Sequence, residues 1–555
     1  MDEEERVTEE KRLEDKGPIL LLRGLASTSN TLLQLEEKIT RSLKQLEDII
    51  YEDVKITRAN APRFVLDSKE IDIWSEPYNR YHSKSPVEYV TEKILECEKK
   101  GLDPFPSIVG KKKEKELVKN ALLSGSPILF KGKKGYGKTT FSKAIAELLP
   151  SKLLAVKGCK IYDDPTHPSC FSCKRKLLED NVVELTWIPR IWVRIPGDPM
   201  LTTRQLVGGV SIQKIREGYD LDHPEVFIPG RALKANRGVG YFDELGALPS
   251  SLQTLLHELF EEHQITTVEG DIIPFKINTI ELAATNPANY RGTNPIKEPL
   301  LDRMEEVNIG PPETLEEEIE IGLRNMYYVK WRKEKASIPS WHLKVLARTV
   351  RYARDKDKCE LARRIESEPS CRATIKLYDH LQSKAIMMGR KVPLFLDYGE
   401  SLEIVKLALR GRIEVEYGID EGKKDEIIEK LFEKALKHTC EEVYNKLPQE
   451  GFDDFYEALR RHSKPAGDSD KYLPISLEIV HELRSEECIN FYVSKLLELD
   501  GGNIEVDDEY FLSAIDAILM SMSLCVPEYV TKDKEGYILH EPKSVDQMIK
   551  NETGM

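Results

Sequence analysis

Gly132-Lys133-Lys134-Gly135-Tyr136-Gly137-Lys138-Thr139 follows the apolar run Ser126-Pro127-Ile128-Leu129-Phe130 and precedes Phe141-Ser142-Lys143-Ala144-Ile145-Ala146-Glu147-Leu148-Leu149. The order reads as strand, glycine loop, helix. The spacing G-x-x-x-x-G-K-T leaves a loop poor in side chains, so its backbone N–H groups can wrap a polyphosphate while the helix N-terminus adds partial positive charge. Residues Gly132 through Thr139, with Thr140 beside them, then form a nucleotide cradle. Lys138 reaches the β- and γ-phosphates, and Thr139 places its hydroxyl on Mg²⁺. The competing reading, a glycine-rich turn that merely caps a helix, needs three glycines and a Lys-Thr pair to fall in register by chance.

Outward from the loop, Arg237-Gly238-Val239-Gly240-Tyr241-Phe242-Asp243-Glu244 reads as a strand ending in two carboxylates. An ATPase needs such a pair opposite its phosphate loop: Asp243 to hold Mg²⁺ through water, Glu244 to orient and deprotonate the attacking water. A helix over Ser251 to Glu262 and a hairpin over Thr266 to Phe275, turning at Glu269-Gly270-Asp271, follow. The strand Thr279 to Asn286 ends in an amide suited to holding the same water. Asn286 also reads as the start of a turn before Pro287.

The chain has 555 residues, too many for one core, which implies about three or four domains. A formal net charge of -14 with 32% charged residues describes an acidic protein, a balance that disfavours nucleic-acid gripping as the main task. There is no run of eighteen apolar residues, and Met1-Asp2-Glu3-Glu4-Glu5-Arg6 is unlike a signal peptide, so a cytoplasmic protein without membrane contact is expected. Nine cysteines, mostly scattered singly, fit a reducing compartment.

Residues 1–16 read as a disordered tail. Leu32, Leu35, Ile39, Leu43, Leu46 and Ile50 recur at helical spacing over Ser29 to Tyr51. Asp103-Pro104-Phe105-Pro106 reads as a hinge, and Lys112 to Leu123 as a helix delivering the chain to the phosphate loop. Beyond the loop, Cys159, His167, Cys170 and Cys173 offer up to four nitrogen and sulfur ligands for a tetrahedral Zn²⁺. The same stretch also reads as a surface loop with reduced thiols.

Over roughly residues 103–415 these motifs resemble the AAA+ ATPases of the magnesium-chelatase subunit I-like group, with MoxR-type ATPases and minichromosome-maintenance helicases as more distant relatives. The resemblance rests on Phe105-Pro106-Ser107-Ile108-Val109-Gly110, the phosphate loop, the Cys-rich insertion and Arg204-Gln205-Leu206-Val207-Gly208-Gly209. It continues through Pro229 to Gly238 into Asp243-Glu244, then Asn286-Pro287, Leu300-Leu301-Asp302-Arg303, Ser370-Cys371-Arg372-Ala373-Thr374-Ile375 and Leu407 to Arg412. It implies an α/β P-loop AAA+ core, a parallel sheet flanked by helices, with an α-helical lid. Mainly helical N- and C-terminal extensions would surround that core.

The implied division is a helical domain over 17–102, a core over 103–310, a lid over 311–420 and a helical extension over 421–555. Carried over by the same resemblance, Arg303 becomes an arginine finger entering the neighbouring subunit's site, and Arg372 a sensor of the γ-phosphate. ATP and Mg²⁺ become the cofactors and a hexameric ring the active unit. Residues 204–228, with Leu221-Asp222-His223-Pro224 at their middle, would project toward the ring centre.

The two extensions depart from a typical small chelatase subunit, which leaves chelatase activity open. In the tail, Asp425 to Leu447, Leu477 to Leu499 and Asp507 to Leu524 read as helices, with a polar linker over His462 to Tyr472. No Asp-x-Ser-x-Ser metal site of a von Willebrand A-type domain occurs, so a partner of that kind would be another chain. Three readings follow: a ring that remodels a partner protein, a DNA translocase, and a nucleotide-gated scaffold. Glu269 and Asp271 at the hairpin tip disfavour the second. Asp243-Glu244 and Arg303 disfavour the third.

Overall fold

The computed structural model describes residues 53–219, 226–266, 274–286, 295–357, 359–416, 420–448, 450–467, 469–498 and 506–541. The tail and the Ser29–Tyr51 helix expected from the sequence, the hairpin tip, Leu221-Asp222-His223-Pro224 and Pro287 lie outside the described residues. The described chain forms two compact units. The first runs to Ile309 without residues 109–111 and 133–136, which group with residues 310–555 in the second.

The centre of the first unit is a five-stranded sheet in the order Glu305–Asn308, Ile128–Lys131, Ile280–Thr285, Val239–Asp243, Trp192–Pro196. Every neighbouring pair is parallel. All residues of Ile280–Thr285 and Val239–Asp243 are buried, as expected for parallel strands covered on both faces. Side chains alternate across such a sheet. Leu129 accordingly packs with Leu252, Leu256 and Phe260 of the Ser250–Glu262 helix, whereas Phe130 stacks on Phe141 of the Lys138–Glu147 helix at 5.6 Å between ring centres. Because all five strands run the same way, the ends carrying the phosphate loop, Asp243 and Asn286 emerge at one edge.

A second sheet in this unit has the order Lys69–Ile71, Arg63–Leu66, Val182–Pro189, Lys152–Val156. The described part of the span expected as a helical N-terminal domain thus contributes two strands. Phe64 lies beside Val183 in parallel register. Pairing over more than a hundred residues leaves no local trace, which is why periodicity alone did not announce it. The helix of that span, Pro86–Lys100, begins at a Ser85/Glu88 capping box with proline at its first position and ends at Gly101 in the left-handed region.

The second unit is built around the helices Ser340–Arg354, Glu421–Tyr444 and Asp508–Cys525, whose apolar faces share one hydrophobic core from Met326 to Leu539. The spans expected as lid and C-terminal extension both contribute to that core. Asp508–Cys525 lies at its centre, with every residue from Tyr510 to Met522 buried. Where a polar linker was expected, Lys464–Pro465 and Lys471–Pro474 are strands, joined to Gly536–Leu539 and Val530–Lys532 in an antiparallel sheet. The expected helix from Leu477 to Leu499 is broken into Val480–Arg484 and Glu487–Glu498, and at the break the Ser485 hydroxyl donates to the Glu482 carbonyl at 2.6 Å. No described helix is long and apolar enough to cross a membrane.

Candidate nucleotide site

Strand Ile128–Lys131 passes into the loop at Gly132, whose N–H donates to the Thr285 carbonyl at 3.2 Å. A Cβ on Gly132 would stand 2.3 Å from the Ile309 carbonyl oxygen, so only glycine fits this crossing. Gly137, at φ +101°, caps the Lys138–Glu147 helix, a backbone state that glycine adopts without a steric cost. The buried Lys138 ammonium donates to the Gly132 carbonyl and to Asn286 Oδ1, the latter at 3.1 Å. Both acceptors are neutral oxygens. An anionic phosphate oxygen placed there makes the stronger, charge-assisted partner.

Beside this lysine a polar chain crosses the sheet edge. Thr139 Oγ1 lies 3.2 Å from the Tyr241 hydroxyl, and that hydroxyl donates to Asp243 Oδ1 at 3.1 Å. Burial pushes the Tyr241 hydroxyl well above its ordinary range, so it stays protonated as a donor. The other Asp243 oxygen accepts from Arg194 Nε at 2.9 Å. Glu244 sits in the left-handed region at φ +58°, a state that costs a non-glycine residue energy and recurs where a side chain must be aimed. Gly197 lies against this turn: its N–H donates to the Asp243 carbonyl at 2.6 Å, and a Cβ there would come within 1.9 Å of the Glu244 carbonyl oxygen.

Sequence reasoning passed over Arg194, Gly197 and Tyr241. Tyr241 lies two residues before Asp243 and so shares its face of the strand, a signal the period of two supplies. Arg194 is a lone cation in the apolar strand Trp192–Pro196, but its pairing with Asp243 needed the register that aligns it with Tyr241.

In the second unit, Tyr136 donates to Glu368 Oε1 at 2.6 Å, and Lys133 stands 3.0 Å from the same carboxylate. Burial raises the Glu368 carboxyl, but these two partners outweigh burial and hold it below its ordinary range. A Cβ on Gly135, at φ +83°, would meet Ser370 Oγ at 2.3 Å. Ser370 caps the Cys371–Met387 helix, and Arg372 is exposed in its first turn. Lys134 and Thr140 are exposed in their respective units.

Arg303 lies just past the Glu298–Leu301 helix in the first unit and is paired within its own chain. Its Nε stands 2.8 Å from Glu261 Oε2. The cysteine loop departs from expectation in one ligand. Cys159, Cys170 and Cys173 converge with Asp163, their ligand atoms all within 4.8 Å of one another. His167 is exposed and turned to the Thr166 hydroxyl at 2.9 Å, outside the cluster. The Thr166 hydroxyl is itself held by Asp164 Oδ1 at 2.6 Å, which keeps its imidazole partner at that place.

A parallel sheet with a glycine loop, a buried lysine, and strand ends bearing Asp243-Glu244 and Asn286 at one edge defines a P-loop ATPase core of the AAA+ class. No protein-family model matches the chain. A magnesium-chelatase subunit ChlI homolog of Methanocaldococcus jannaschii is 28% identical over 232 residues, covering 38% of this chain and 60% of the relative. The magnesium-chelatase 38 kDa subunit of Acidiphilium rubrum is 26% identical over 231 residues, covering 40% and 62%. The chain therefore spans less than two thirds of the length of these relatives. Among solved structures, a complex of the magnesium-chelatase subunits BchI and BchD matches at 23% identity and TM-score 0.31, covering 57% of this chain and 98% of that one. A Thermotoga maritima RuvB mutant matches at 13% identity and TM-score 0.30, covering 80% and 95%. Over these stretches the chain is similar to magnesium-chelatase I-type subunits.

Proposed function

We propose that the chain is the ATP-hydrolysing motor of a ring, most simply a hexamer, that remodels or activates a partner protein in the cytoplasm. One observation carries this reading: Lys138, Asn286, Thr139, Tyr241 and Asp243 converge at the carboxyl edge of a parallel sheet. The residues present fit ATP with Mg²⁺. Gly132 opens a cradle that a Cβ would fill, and Thr139 and Asp243 supply the hard oxygen donors this cation takes. When bound, Mg²⁺ supplies charge neutralisation between the β- and γ-phosphates.

In the proposed mechanism Lys138 exchanges the Gly132 and Asn286 oxygens for phosphate oxygens, and Asn286, so released, positions the attacking water. Glu244 takes the proton of that water. Tyr241 keeps Thr139 and Asp243 in register through its hydroxyl. Arg303, freed from Glu261, neutralises charge in the adjoining subunit's site, and Arg372 reports γ-phosphate to the helix it begins. Residues 103–310 would form the motor core and 311–420 its lid, with 421–555 as a docking module for the partner, a von Willebrand A-type protein being one candidate.

The relatives' names place them in magnesium chelatase, and a tetrapyrrole-metallating complex is one such client system. The acidic net charge of -14 weighs against a DNA track. Steady-state ATPase assays of the full chain with and without single-stranded and duplex DNA test the proposal. Hydrolysis indifferent to DNA, together with ATP-dependent retention of a defined partner by Glu244→Gln, supports it. Strong stimulation by DNA establishes the translocase reading instead, and absence of hydrolysis leaves the scaffold.

A further inference from the structure

We infer that Cys159, Cys170, Cys173 and Asp163 form a structural Zn²⁺ site that ties the insertion after the phosphate-loop helix to the root of the strand ending in Asp243. The assignment rests on geometry. Two sulfurs on one tetrahedral ion with bonds of about 2.3 Å stand roughly 3.8 Å apart. Cys159 Sγ and Cys170 Sγ are 3.9 Å apart, whereas a disulfide needs about 2.05 Å. Cys170 and Cys173 form the Cys-x-x-Cys pair that one tetrahedral ion accepts, on the first turn of the Phe171–Glu179 helix. The Asp163 N–H donates to Cys159 Sγ at 3.3 Å, which fixes that sulfur.

Asp163 is fully buried and faces the three thiols. Its Oδ2 accepts from the Cys170 N–H at 2.8 Å and its Oδ1 from Asn236 Nδ2 at 3.4 Å. A carboxylate has about four lone-pair sites, so these two bonds leave capacity for an ion. A buried carboxylate against three thiols is costly unless a cation joins them, and a divalent ion supplies the opposite charge all four donors lack. Three thiolates and a carboxylate around Zn²⁺ leave a net double negative charge, and Lys160 and Lys176 line the cavity beside them. A cavity of about 150 Å³ bounded by Gly158, Cys159, Cys170, Cys173, Lys176 and Phe227 gives the ion a route in.

The surrounding bonds show what the ion would hold. Asn236 also donates to the Ile161 carbonyl at 3.1 Å, and its neighbour Arg237 pairs with Asp164 at 2.9 Å. Asn236 and Arg237 lead directly into Val239–Asp243. The Val156 N–H donates to the Asp163 carbonyl at 3.1 Å, and the Ile56 N–H to the Thr166 carbonyl at 2.8 Å. The loop is thus the joint between the two sheets of the first unit. Binding displaces up to three thiol protons to solvent as the thiolates form.

The full chain, purified without chelator, is expected to carry about one zinc ion by inductively coupled plasma mass spectrometry. Cys170→Ser and Cys173→Ser should lose it, and His167→Ala should retain it. Exchange for Co²⁺ should give thiolate charge-transfer bands and tetrahedral ligand-field bands, with the latter shifted in Asp163→Asn. A cysteine variant can fail to fold, so the unaltered chain provides a second reading: alkylation should spare these three thiols until a chelator is added, then modify all three. A chain that is metal-free and stays so after incubation with Zn²⁺ overturns the site. Alkylation indifferent to chelator, or a mass lower by two hydrogens from a Cys159–Cys170 disulfide, does the same. An unshifted cobalt spectrum in Asp163→Asn removes the aspartate from the ligand set.

Discussion

The guanidinium of Arg194 lies against the carboxylate of Asp243, with Nε 2.9 Å from Oδ2, while Tyr241 donates to the opposite oxygen. A cation of the chain therefore stands on the carboxylate that is proposed to face Mg²⁺, and the two charges compete for one oxygen. Arg194 is 57% exposed, so the competition is screened and worth at most about 1 kcal/mol. Arg194→Ala should lower the Mg²⁺ concentration that half-saturates ATPase activity by roughly two- to fivefold. An unchanged or raised half-saturation shows instead that the guanidinium aids the site.

Lys138→Ala should abolish ATP binding in isothermal titration, because the buried cation held between Gly132 and Asn286 is removed. Its thermal unfolding should stay close to that of the parent. Titration at parental affinity places the nucleotide elsewhere.

Gly197→Ala should reduce turnover by at least about tenfold, since displacing a catalytic group by about 1 Å costs rate steeply. The added Cβ has no room: it would stand 1.9 Å from the Glu244 carbonyl oxygen, a backbone atom that must move. The loss should fall on kcat, with the Kd for ATP little altered, because Lys138 lies on another strand-to-helix turn. Equal losses in both indicate a general loss of folding.

Arg303→Ala and Lys138→Ala chains should each be inactive alone and regain ATPase activity on mixing. Mixed rings contain interfaces where an intact phosphate loop meets an intact arginine, and a finger supplied in trans contributes about 10³–10⁵ in rate. Subunit exchange shown by mass spectrometry with no returning activity rejects the trans role. Glu261→Ala, which releases Arg303 from its ion pair, should leave turnover at or above the parental level.

Stability of the second unit should rise as pH falls through about 6, through Asp516. Burial pushes this carboxyl up to about 6 from 3.8, against hydrogen bonds from the Tyr537 hydroxyl and the Phe395 N–H. A carboxyl raised on folding binds its proton more tightly in the native state. The native state is therefore penalised above pH 6, and the penalty is relieved as pH falls toward 3.8, by up to roughly 1.4 kcal/mol per unit. Denaturant titrations of the parent and Asp516→Asn between about pH 5 and 8 should diverge, the parent gaining on the variant as pH falls. Parallel curves exclude Asp516 as the titrating group.

The phosphate loop was legible in the sequence because its requirements are contiguous: glycines where backbone must pass closely, then a lysine and threonine opening a helix. The strands ending at Asp243 and at Asn286 were legible for the same reason, as were the helices Lys112–Leu123 and Asp508–Cys525. Tertiary structure alone decided that Arg194 meets Asp243 and that Gly197 lies under Glu244. It also decided that Arg63–Leu66 joins a sheet with Val182–Pro189, and that Asp163 rather than His167 faces the three thiols. Each of these depends on which strand lies beside which and in what register. A one-residue slip turns every side chain of a strand to the opposite face, and the burial of distant partners, absent from any local window, selects among the registers.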